Sequence, residues 1–236
     1  MGFCGVPTKF PFRCWRMKQT LFITGTGTGT GKTVLAALLT RFLRERGVNA
    51  AALKPICAGG RGDARRIFTA LDGALTLDEI NPWHFRAPVA PLLAARREKK
   101  TVKFAQMLAY VRALQKRFDV LLLEGAGGLL SPLGENFDAR DLMVALRATP
   151  VIVAQNKLGA INHVLLTLEA LPEKFRSKAK IVLTSPAKPD AATSANAKLL
   201  AEFSSAKLFS LPWLGKRFSA AKSPRVRQML CALAEI

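Results

Sequence analysis

The sequence lacks the features of membrane proteins, secreted proteins and proteins with cysteine-bound metal centres. It contains no uninterrupted apolar run of about 18 residues, the length typical of a membrane-spanning helix. Its four cysteines, Cys4, Cys14, Cys57 and Cys231, are scattered and form no pair at metal-ligand spacing. No stretch has the apolar core of a secretory signal. We therefore expect reduced thiols in a cytoplasmic protein without a membrane partner.

Acidic residues are scarce. Only 16 Asp and Glu oppose 36 Lys and Arg, which leaves a formal net charge of +20. Such a charge is typical of nucleic-acid-binding proteins, and it also suits a surface that attracts anionic small molecules. No long run of Lys and Arg and no interleaved aromatic pattern marks a nucleic-acid groove. We therefore expect no nucleic acid as the primary partner.

The beginning of the chain differs in composition from the rest. Residues 1–16 combine prolines, cysteines, aromatic and basic residues without a regular period. Such an extension is expected to be disordered or loosely tethered. The alternative is that translation begins at Met17. The predicted organisation is a disordered N-terminal extension over residues 1–17 and one folded domain over residues 18–236.

The strongest motif is the sequence Gly-Thr-Gly-Thr-Gly-Thr-Gly-Lys-Thr at residues 25–33. It lies between two apolar stretches, which is the order strand, glycine-rich turn, helix. Glycines allow the backbone to approach a phosphate closely, and the helix N-terminus points N–H groups at it. Lys32 can contact the β- and γ-phosphates, and Thr33 can hold Mg²⁺. The loop has five residues between its first and last glycine, one more than the strict phosphate loop.

Apolar strands alternate with helices along the rest of the chain. This alternation predicts the α/β class, as a single P-loop NTPase-like domain with a mostly parallel sheet and helices on both faces. A proline-rich stretch at residues 81–91 is predicted to be irregular. Helices are predicted over residues 32–46, 63–71, 102–118, 138–147, 159–171, 190–203 and from 223, and strands over 21–23, 49–53, 119–123, 150–154, 180–184 and 208–211.

Three charged residues are predicted near the edge where parallel sheets bind ligands. Glu124 follows a strand and can hold Mg²⁺, or its carboxylate can be satisfied by neighbouring backbone N–H groups. Lys54 follows another strand and can face a phosphate or carboxylate, or lie solvated on the surface. Asp63 follows a glycine-rich loop and either caps a helix or contributes to the metal site.

Together these motifs resemble those of the ATP-dependent dethiobiotin synthetases. They occur in the family order between about residue 18 and residue 214. The phosphate loop alone is shared with many ATPases, so the other motifs carry the specificity. The matching motifs are the long phosphate loop at 25–33, Lys-Pro at 54–55, Asp63 after a glycine-rich loop, Asn-Pro-aromatic-x-Phe at 81–85, Glu-Gly-Ala-Gly-Gly at 124–128, Lys-Leu-Gly-x-Ile-Asn-His at 157–163 and Pro-Trp-Leu at 212–214.

The resemblance implies an enzyme of biotin biosynthesis that converts 7,8-diaminononanoate, CO₂ and ATP to dethiobiotin, ADP and phosphate. A substrate amine forms a carbamate, whose oxygen attacks the γ-phosphate of ATP. The resulting carbamic–phosphoric anhydride then closes onto the second amine. The implied cofactors are ATP and Mg²⁺, and the implied assembly is a homodimer.

The resemblance also implies roles for individual residues. Lys32 and Lys54 are the implied catalytic residues, and Thr33, Asp63 and Glu124 are the implied Mg²⁺ ligands. The implied nucleotide contacts are Gly29, Thr30, Gly31, Lys32, Thr33, Val34, Asp63, Glu124, Gly125, Ala126, Gly127, Thr184, Pro212 and Trp213. The implied substrate contacts are Thr28, Lys54, Ala58, Gly159, Ile161 and Asn162, of which the last three reach the substrate carboxylate in the partner protomer.

The chain departs from the family pattern at several positions. Gly29 stands where glutamate is frequent, and Ala58 stands where a substrate-binding serine is common. Residues 183–185 lack the Asn-Asp pair that contacts adenine, and no acidic residue stands at 215–218. Base selectivity is therefore open. Two alternatives also stay open: a partition-type P-loop ATPase that binds DNA nonspecifically, and a nucleotide-binding relative that forms no dethiobiotin.

Overall fold

The computed structural model describes residues 18–215 and 223–235. The predicted extension at residues 1–17 and most of the segment 215–218 lie outside this range. Within it, no helix combines the length and the apolar character needed to cross a membrane.

Strands and helices alternate through most of the described chain. The strands are β1 (Gln19–Gly25), β2 (Ala50–Leu53), β3 (Ile56–Ala58), β4 (Trp83–Phe85), β5 (Val120–Glu124), β6 (Pro132–Gly134), β7 (Phe137–Asp138), β8 (Thr149–Gln155), β9 (Lys180–Thr184) and β10 (Lys207–Leu211). The helices are α1 (Lys32–Arg44), α2 (Gly62–Leu71), α3 (Leu77–Ile80), α4 (Pro91–Arg97), α5 (Phe104–Arg117), α6 (Ala139–Ala145), α7 (Ala160–Glu169), α8 (Glu173–Arg176), α9 (Ala191–Phe203) and α10 (Pro224–Ala234).

Six strands form the central sheet in the order β10-β9-β8-β1-β5-β2, and all of these neighbours pair in parallel. Every residue of β5 is buried, and β1 is buried over residues 21–25. Because successive side chains of a strand point to opposite faces, such burial requires cover on both faces. The predicted parallel α/β sheet is therefore confirmed. The carboxyl ends of its strands share one edge, where the ligand crevice of such sheets lies.

Helix α1 shows how the sequence covers this sheet. Ten of its thirteen residues are buried, and the large apolar side chains among them recur three or four residues apart and form a stripe. The helix packs against β1, β2 and β5 and also against helices α2 and α10, which fixes its N-terminus next to the carboxyl end of β1. The stripe consists of Leu35, Leu38, Leu39, Phe42 and Leu43.

Part of the proline-rich stretch is regular, contrary to the prediction for residues 81–91. Strand β4 pairs in parallel with β3, and helix α4 begins at Pro91. The Trp83 N–H donates to the Pro55 carbonyl at 3.0 Å, and the Gly59 N–H donates to the Phe85 carbonyl at 3.2 Å. These bonds make the segment extended, so the prediction of an irregular segment is wrong at residues 83–85.

Helix α2 begins at Gly62, with Arg61 at the N-cap position. Asp63 lies in the first turn instead of at the cap. The alternative that Asp63 caps this helix is therefore wrong. The other predicted helices begin or end within two residues of their predicted limits, as α5 does at Phe104, whereas the short helices α3, α4 and α8 were not predicted.

Candidate active site

The phosphate loop turns between the carboxyl end of β1 and the N-terminus of α1. Gly31 has a φ of +96°, and a Cβ there would lie 2.9 Å from Cγ2 of Thr184. Both the backbone and the available space therefore require glycine. Helix α1 has no side-chain cap and no acidic residue in its first turn. Its first N–H groups can therefore bind an anion such as a phosphate.

A buried cluster of charged and hydroxyl groups lies next to this loop. The Oε1 atom of Glu124 accepts hydrogen bonds from Thr33 Oγ1 at 2.8 Å and from Lys54 Nζ at 2.7 Å. Lys54 Nζ also donates to the Gly125 carbonyl at 2.9 Å and lies 3.5 Å from Asp63 Oδ2. The structure thus brings together five of the predicted site residues. The Lys54 ammonium acts as a counter-ion between two carboxylates.

This cluster decides two of the open alternatives. Lys54 is only 4% exposed, so the alternative of a solvated surface lysine is wrong. Glu124 is 1% exposed, and the described hydrogen bonds to its carboxylate come from side chains. The alternative of a carboxylate satisfied by backbone N–H groups is therefore wrong as well.

The two site lysines differ in their proton affinity. Burial opposes the charge of Lys54, but the carboxylates of Glu124 and Asp63 outweigh it and raise the pKa of Lys54 above its usual value. Burial, and then repulsion by Lys54, lower the pKa of Lys32 from 10.5 to about 8. Lys32 Nζ donates to the Gly27 carbonyl at 2.6 Å. Lys54 therefore stays positively charged, whereas the lowered pKa of Lys32, about 8, allows it to lose its charge at mildly alkaline pH.

Three buried oxygen atoms near the loop have no hydrogen-bond partner within the described structure: Thr24 Oγ1, Thr30 Oγ1 and Glu124 Oε2. A buried polar atom left without a partner is costly, so such atoms indicate where a ligand completes the bonding. Oxygen atoms of Glu124, Thr33 and Asp63 are the hard ligands that Mg²⁺ prefers. Mg²⁺ typically takes only one or two carboxylates beside substrate phosphates. The residues present therefore fit a magnesium ion.

Two side chains contact the phosphate loop from neighbouring strands: Thr184 of β9, which was predicted as a site residue, and Gln155 of β8, which was not. Thr184 Oγ1 lies 3.0 Å from the Thr30 carbonyl oxygen and 3.2 Å from that of Ala154. The Gln155 amide donates to the Gly29 carbonyl at 2.9 Å. The hydroxyl of Thr184 is therefore engaged with the protein backbone. This residue connects the phosphate loop at Thr30 to the end of β8 at Ala154.

The other predicted residues form no hydrogen bond to the cluster of Lys54 and Glu124 within the described chain. Their assignments stay predictions. Helix α7 begins after Gly159, which has a φ of +85°, and it has neither a side-chain cap nor an acidic residue in its first turn. Thr28, Gly159, Asn162, Pro212 and Trp213 are exposed; Val34, Ala58, Gly127 and Ile161 are partly buried; Ala126 is buried.

Two residues that the sequence interpretation gave no role lie directly behind the cluster. The Asn81 side chain is fully buried, and its amide nitrogen lies 2.8 Å from the Lys54 carbonyl oxygen. Arg61 donates from Nε to Asn81 Oδ1 at 3.1 Å. The signal in the sequence was the place of Asn81 in the Asn-Pro-aromatic-x-Phe motif. Arg61 had no signal, because its partners lie in a distant part of the chain.

Known proteins resemble this chain over most of its length. A family model described as an AAA domain matches residues 19–217. The ATP-dependent dethiobiotin synthetase BioD of Anaeromyxobacter sp. (strain Fw109-5) is 42% identical over 174 residues, covering 72% of this chain and 78% of that protein. A protein of the same name from Akkermansia muciniphila is 37% identical over 191 residues, covering 80% and 90%.

A solved structure shares the fold. The crystal structure of a ParA family ATPase from Chlorobium tepidum TLS matches with a TM-score of 0.59 and covers 92% of this chain and 99% of that chain. At 12% identity this similarity concerns the fold alone, and it confirms the predicted P-loop NTPase-like architecture. The two curated relatives match this chain over 72% and 80% of its length. The chain belongs to the ATP-dependent dethiobiotin synthetase family.

Proposed function

We propose that this protein forms dethiobiotin from 7,8-diaminononanoate, CO₂ and ATP. One observation carries the proposal at the level of the site. A second buried lysine, Lys54, lies beside the phosphate-loop residues and pairs with Glu124 at 2.7 Å. Phosphate binding and metal binding explain Lys32 and Thr33. They do not explain Lys54, whereas a reaction that brings an anionic carbamate to an anionic phosphate requires a further cation.

The proposed reaction has three steps. An amine of the substrate adds to CO₂ and loses a proton, which gives a carbamate. A carbamate oxygen attacks the γ-phosphorus, and the bond to the β-phosphate oxygen breaks to release ADP. The second amine then attacks the carbonyl carbon and loses a proton, and phosphate leaves. Most of the catalysis required is positioning and neutralisation of charge.

The residues of the cluster suit these tasks. The N–H groups at the start of α1 and the Lys32 ammonium would bind the β- and γ-phosphates. Lys54 would neutralise the carbamate as it approaches the γ-phosphate, because charges interact strongly in a partly dry site. Thr33, Asp63 and Glu124 would hold Mg²⁺, which when bound neutralises phosphate charge. Thr28 and Ala58 would line the substrate site.

The substrate carboxylate would bind across a homodimer. Gly159, Ile161 and Asn162 lie at the N-terminus of α7, where exposed N–H groups favour an anion. In the proposed assembly, this helix end would reach the substrate bound in the partner protomer. Thr184, Pro212 and Trp213 would lie near the nucleotide base. A cytoplasmic location, where thiols stay reduced, belongs to the same proposal.

The test is product formation by wild type and Lys54→Ala from diaminononanoate, bicarbonate and MgATP. We expect the alanine variant to bind MgATP within about threefold of wild type and to form dethiobiotin about 100-fold more slowly, because it loses charge neutralisation in the transition state. Lys54→Arg should also be impaired, since a planar guanidinium group does not replace a compact ammonium group.

The nucleotide measurement separates the possible outcomes. If Lys54→Ala lost ATP affinity and turnover in equal proportion, Lys54 would be a nucleotide ligand only. If it lost neither, its assignment to the carbamate would be wrong. Absence of dethiobiotin with the wild-type protein would leave a nucleotide-binding relative without this activity and would refute the proposed function itself.

A further inference from the structure

Asn81 is a buried polar side chain whose amide is bonded on every side. It is 0% exposed and follows directly after helix α3. Its amide nitrogen lies 2.8 Å from the carbonyl oxygen of Lys54, 3.2 Å from that of Trp83 and 3.3 Å from that of Pro55. Its Oδ1 atom accepts a hydrogen bond from Arg61 Nε at 3.1 Å.

Hydrogen bonds from residues 80 and 81 take over from the strand pairing of β2 at the point where that pairing ends. The pairing of β2 with β5 stops at Leu53, so Lys54 lies one residue beyond the ladder. Its N–H donates to the Ile80 carbonyl at 3.0 Å, and its own carbonyl accepts from the Asn81 amide. Both backbone polar groups of Lys54 are therefore fixed by consecutive residues of another segment. That segment determines where the Lys54 side chain starts.

Arg61 links Asn81 to the segment that carries the Asp63 carboxylate. Its Nη2 donates to the carbonyl of Leu77 at 2.7 Å and to that of Asn81 at 3.2 Å, and its Nη1 pairs with Asp78 at 2.7 Å. Arg61 stands two residues before Asp63 and at the N-cap of α2. Asn81 thus contacts the backbone of Lys54 directly. Through its hydrogen bond with Arg61, it also contacts the segment that carries Asp63.

We propose that Asn81 is a positioning residue for the reaction and that, together with Arg61, it sets the separation of Lys54 and Asp63. This inference rests on the proposed function, because it gives the Lys54 ammonium a catalytic task. Asn81 touches neither reacting group and acts through the backbone of Lys54. A side chain of equal size that cannot donate hydrogen bonds would release the Lys54 carbonyl.

The first test is kinetic and uses Asn81→Leu, which keeps the approximate size, adds no charge and cannot donate a hydrogen bond. We expect kcat for dethiobiotin to fall about tenfold, with KM for ATP within about twofold of wild type. Arg61→Lys, which keeps the charge but loses the planar guanidinium, should also lower kcat while leaving KM for ATP nearly unchanged. Tyr110→Phe is the matched control, because its hydroxyl donates to the Glu79 carbonyl on the same helix α3 at 2.5 Å. Its kcat should stay within about twofold of wild type.

The decisive comparison repeats Asn81→Leu in the Lys54→Ala background. If Asn81 acts through Lys54, the second substitution should change kcat by less than about twofold there. An equal loss in both backgrounds, or an equal loss in Tyr110→Phe, would show a general structural role and overturn the inference.

A second readout does not depend on product formation. In protein labelled with ¹³C-lysine, the Cε signal of Lys54 is assigned by its loss in Lys54→Arg. We expect Asn81→Leu, which introduces no charge, to move this signal and to leave that of Lys180 in place, since the buried Lys180 ammonium is bonded to the Leu233 carbonyl at 2.8 Å. An unmoved Lys54 signal would overturn the inference. If wild type formed no dethiobiotin, the proposed function would fail while this readout still decided whether Asn81 positions Lys54.

Discussion

At the scale of single residues, Lys32 and Lys54 show how one side-chain type acquires two behaviours within one site. Two carboxylates hold Lys54 in its charged form, whereas burial and the neighbouring ammonium of Lys54 disfavour the charge of Lys32. The lowered pKa of Lys32, about 8, belongs to the protein without an anion. A bound phosphate favours the ammonium and therefore raises this pKa again.

This difference predicts proton uptake when nucleotide binds. The folded protein holds Lys32 mostly neutral above its pKa of about 8, and the bound phosphates return it to the charged form. At a pH of about 9, MgATP binding should therefore take up nearly one proton, and much less at a pH of about 7. Calorimetric titrations in buffers of different ionisation enthalpy measure this number directly.

Lys32→Ala is the control for the proton measurement. The variant should show no additional uptake at alkaline pH, and its turnover should fall by about 100- to 1000-fold, on the order of 3–4 kcal/mol of transition-state stabilisation. Equal uptake by wild type and variant would assign the proton to another group. Near-normal turnover of the variant would contradict the role of Lys32 in the phosphate loop.

At the scale of elements, the turn after β1 depends on close backbone approach. A Cβ on Gly25 would lie 2.5 Å from Thr30 Oγ1 and 3.1 Å from Lys32 Nζ. Gly25→Ala must therefore displace the loop or the lysine, and we expect affinity for MgATP to fall by about tenfold or more. Gly27→Ala should be much milder, because a Cβ there meets no atom within 4 Å. Nucleotide titration of both variants measures the difference.

Thermal unfolding distinguishes a local effect from a global one. We expect Gly25→Ala to keep most of its stability, because the turn lies outside the apolar core. A variant that unfolds at much lower temperature without nucleotide would show that the glycine serves the fold as a whole. Equal affinities of the two alanine variants would contradict the steric explanation.

The predictability of each element follows from the range of the interactions that create it. All six strands of the central sheet were predicted, because buried strands appear in the sequence as short apolar runs. Strands β3 and β4 were not, since they have three residues each and exist through their mutual pairing. The same holds in the site. Lys32 and Thr33 follow from a local motif, whereas the role of Asn81 depends on contacts with Lys54 and Arg61, 27 and 20 residues away.

At the scale of the whole molecule, the net charge of +20 predicts weak attraction to any polyanion. We expect nonspecific DNA binding at low salt that disappears near physiological salt, where the Debye length is about 8 Å and exposed charges are screened. Fluorescence anisotropy with labelled duplex DNA over a salt series measures it. The affinity should be the same with and without ATP.

The opposite result would favour another kind of protein. Submicromolar retention on DNA at physiological salt, dependent on ATP, is the behaviour of a partition-type ATPase. It would show that the basic surface has a function of its own. The shared fold with a ParA family ATPase does not distinguish a synthetase from a partition-type ATPase, since at 12% identity the similarity extends to the fold only.

The order of strands in the sheet has a kinetic consequence. Strands β1 and β2 follow one another in the chain, but β5 lies between them. Glu124 at the end of β5 meets Thr33 and Lys54 across 91 and 70 residues. During synthesis, the glycine loop emerges long before its acidic partner, and contacts of such separation form late in folding. Nucleotide protection of a nascent or refolding chain should therefore begin only when β5 has entered the sheet, which makes it a reporter of completed folding.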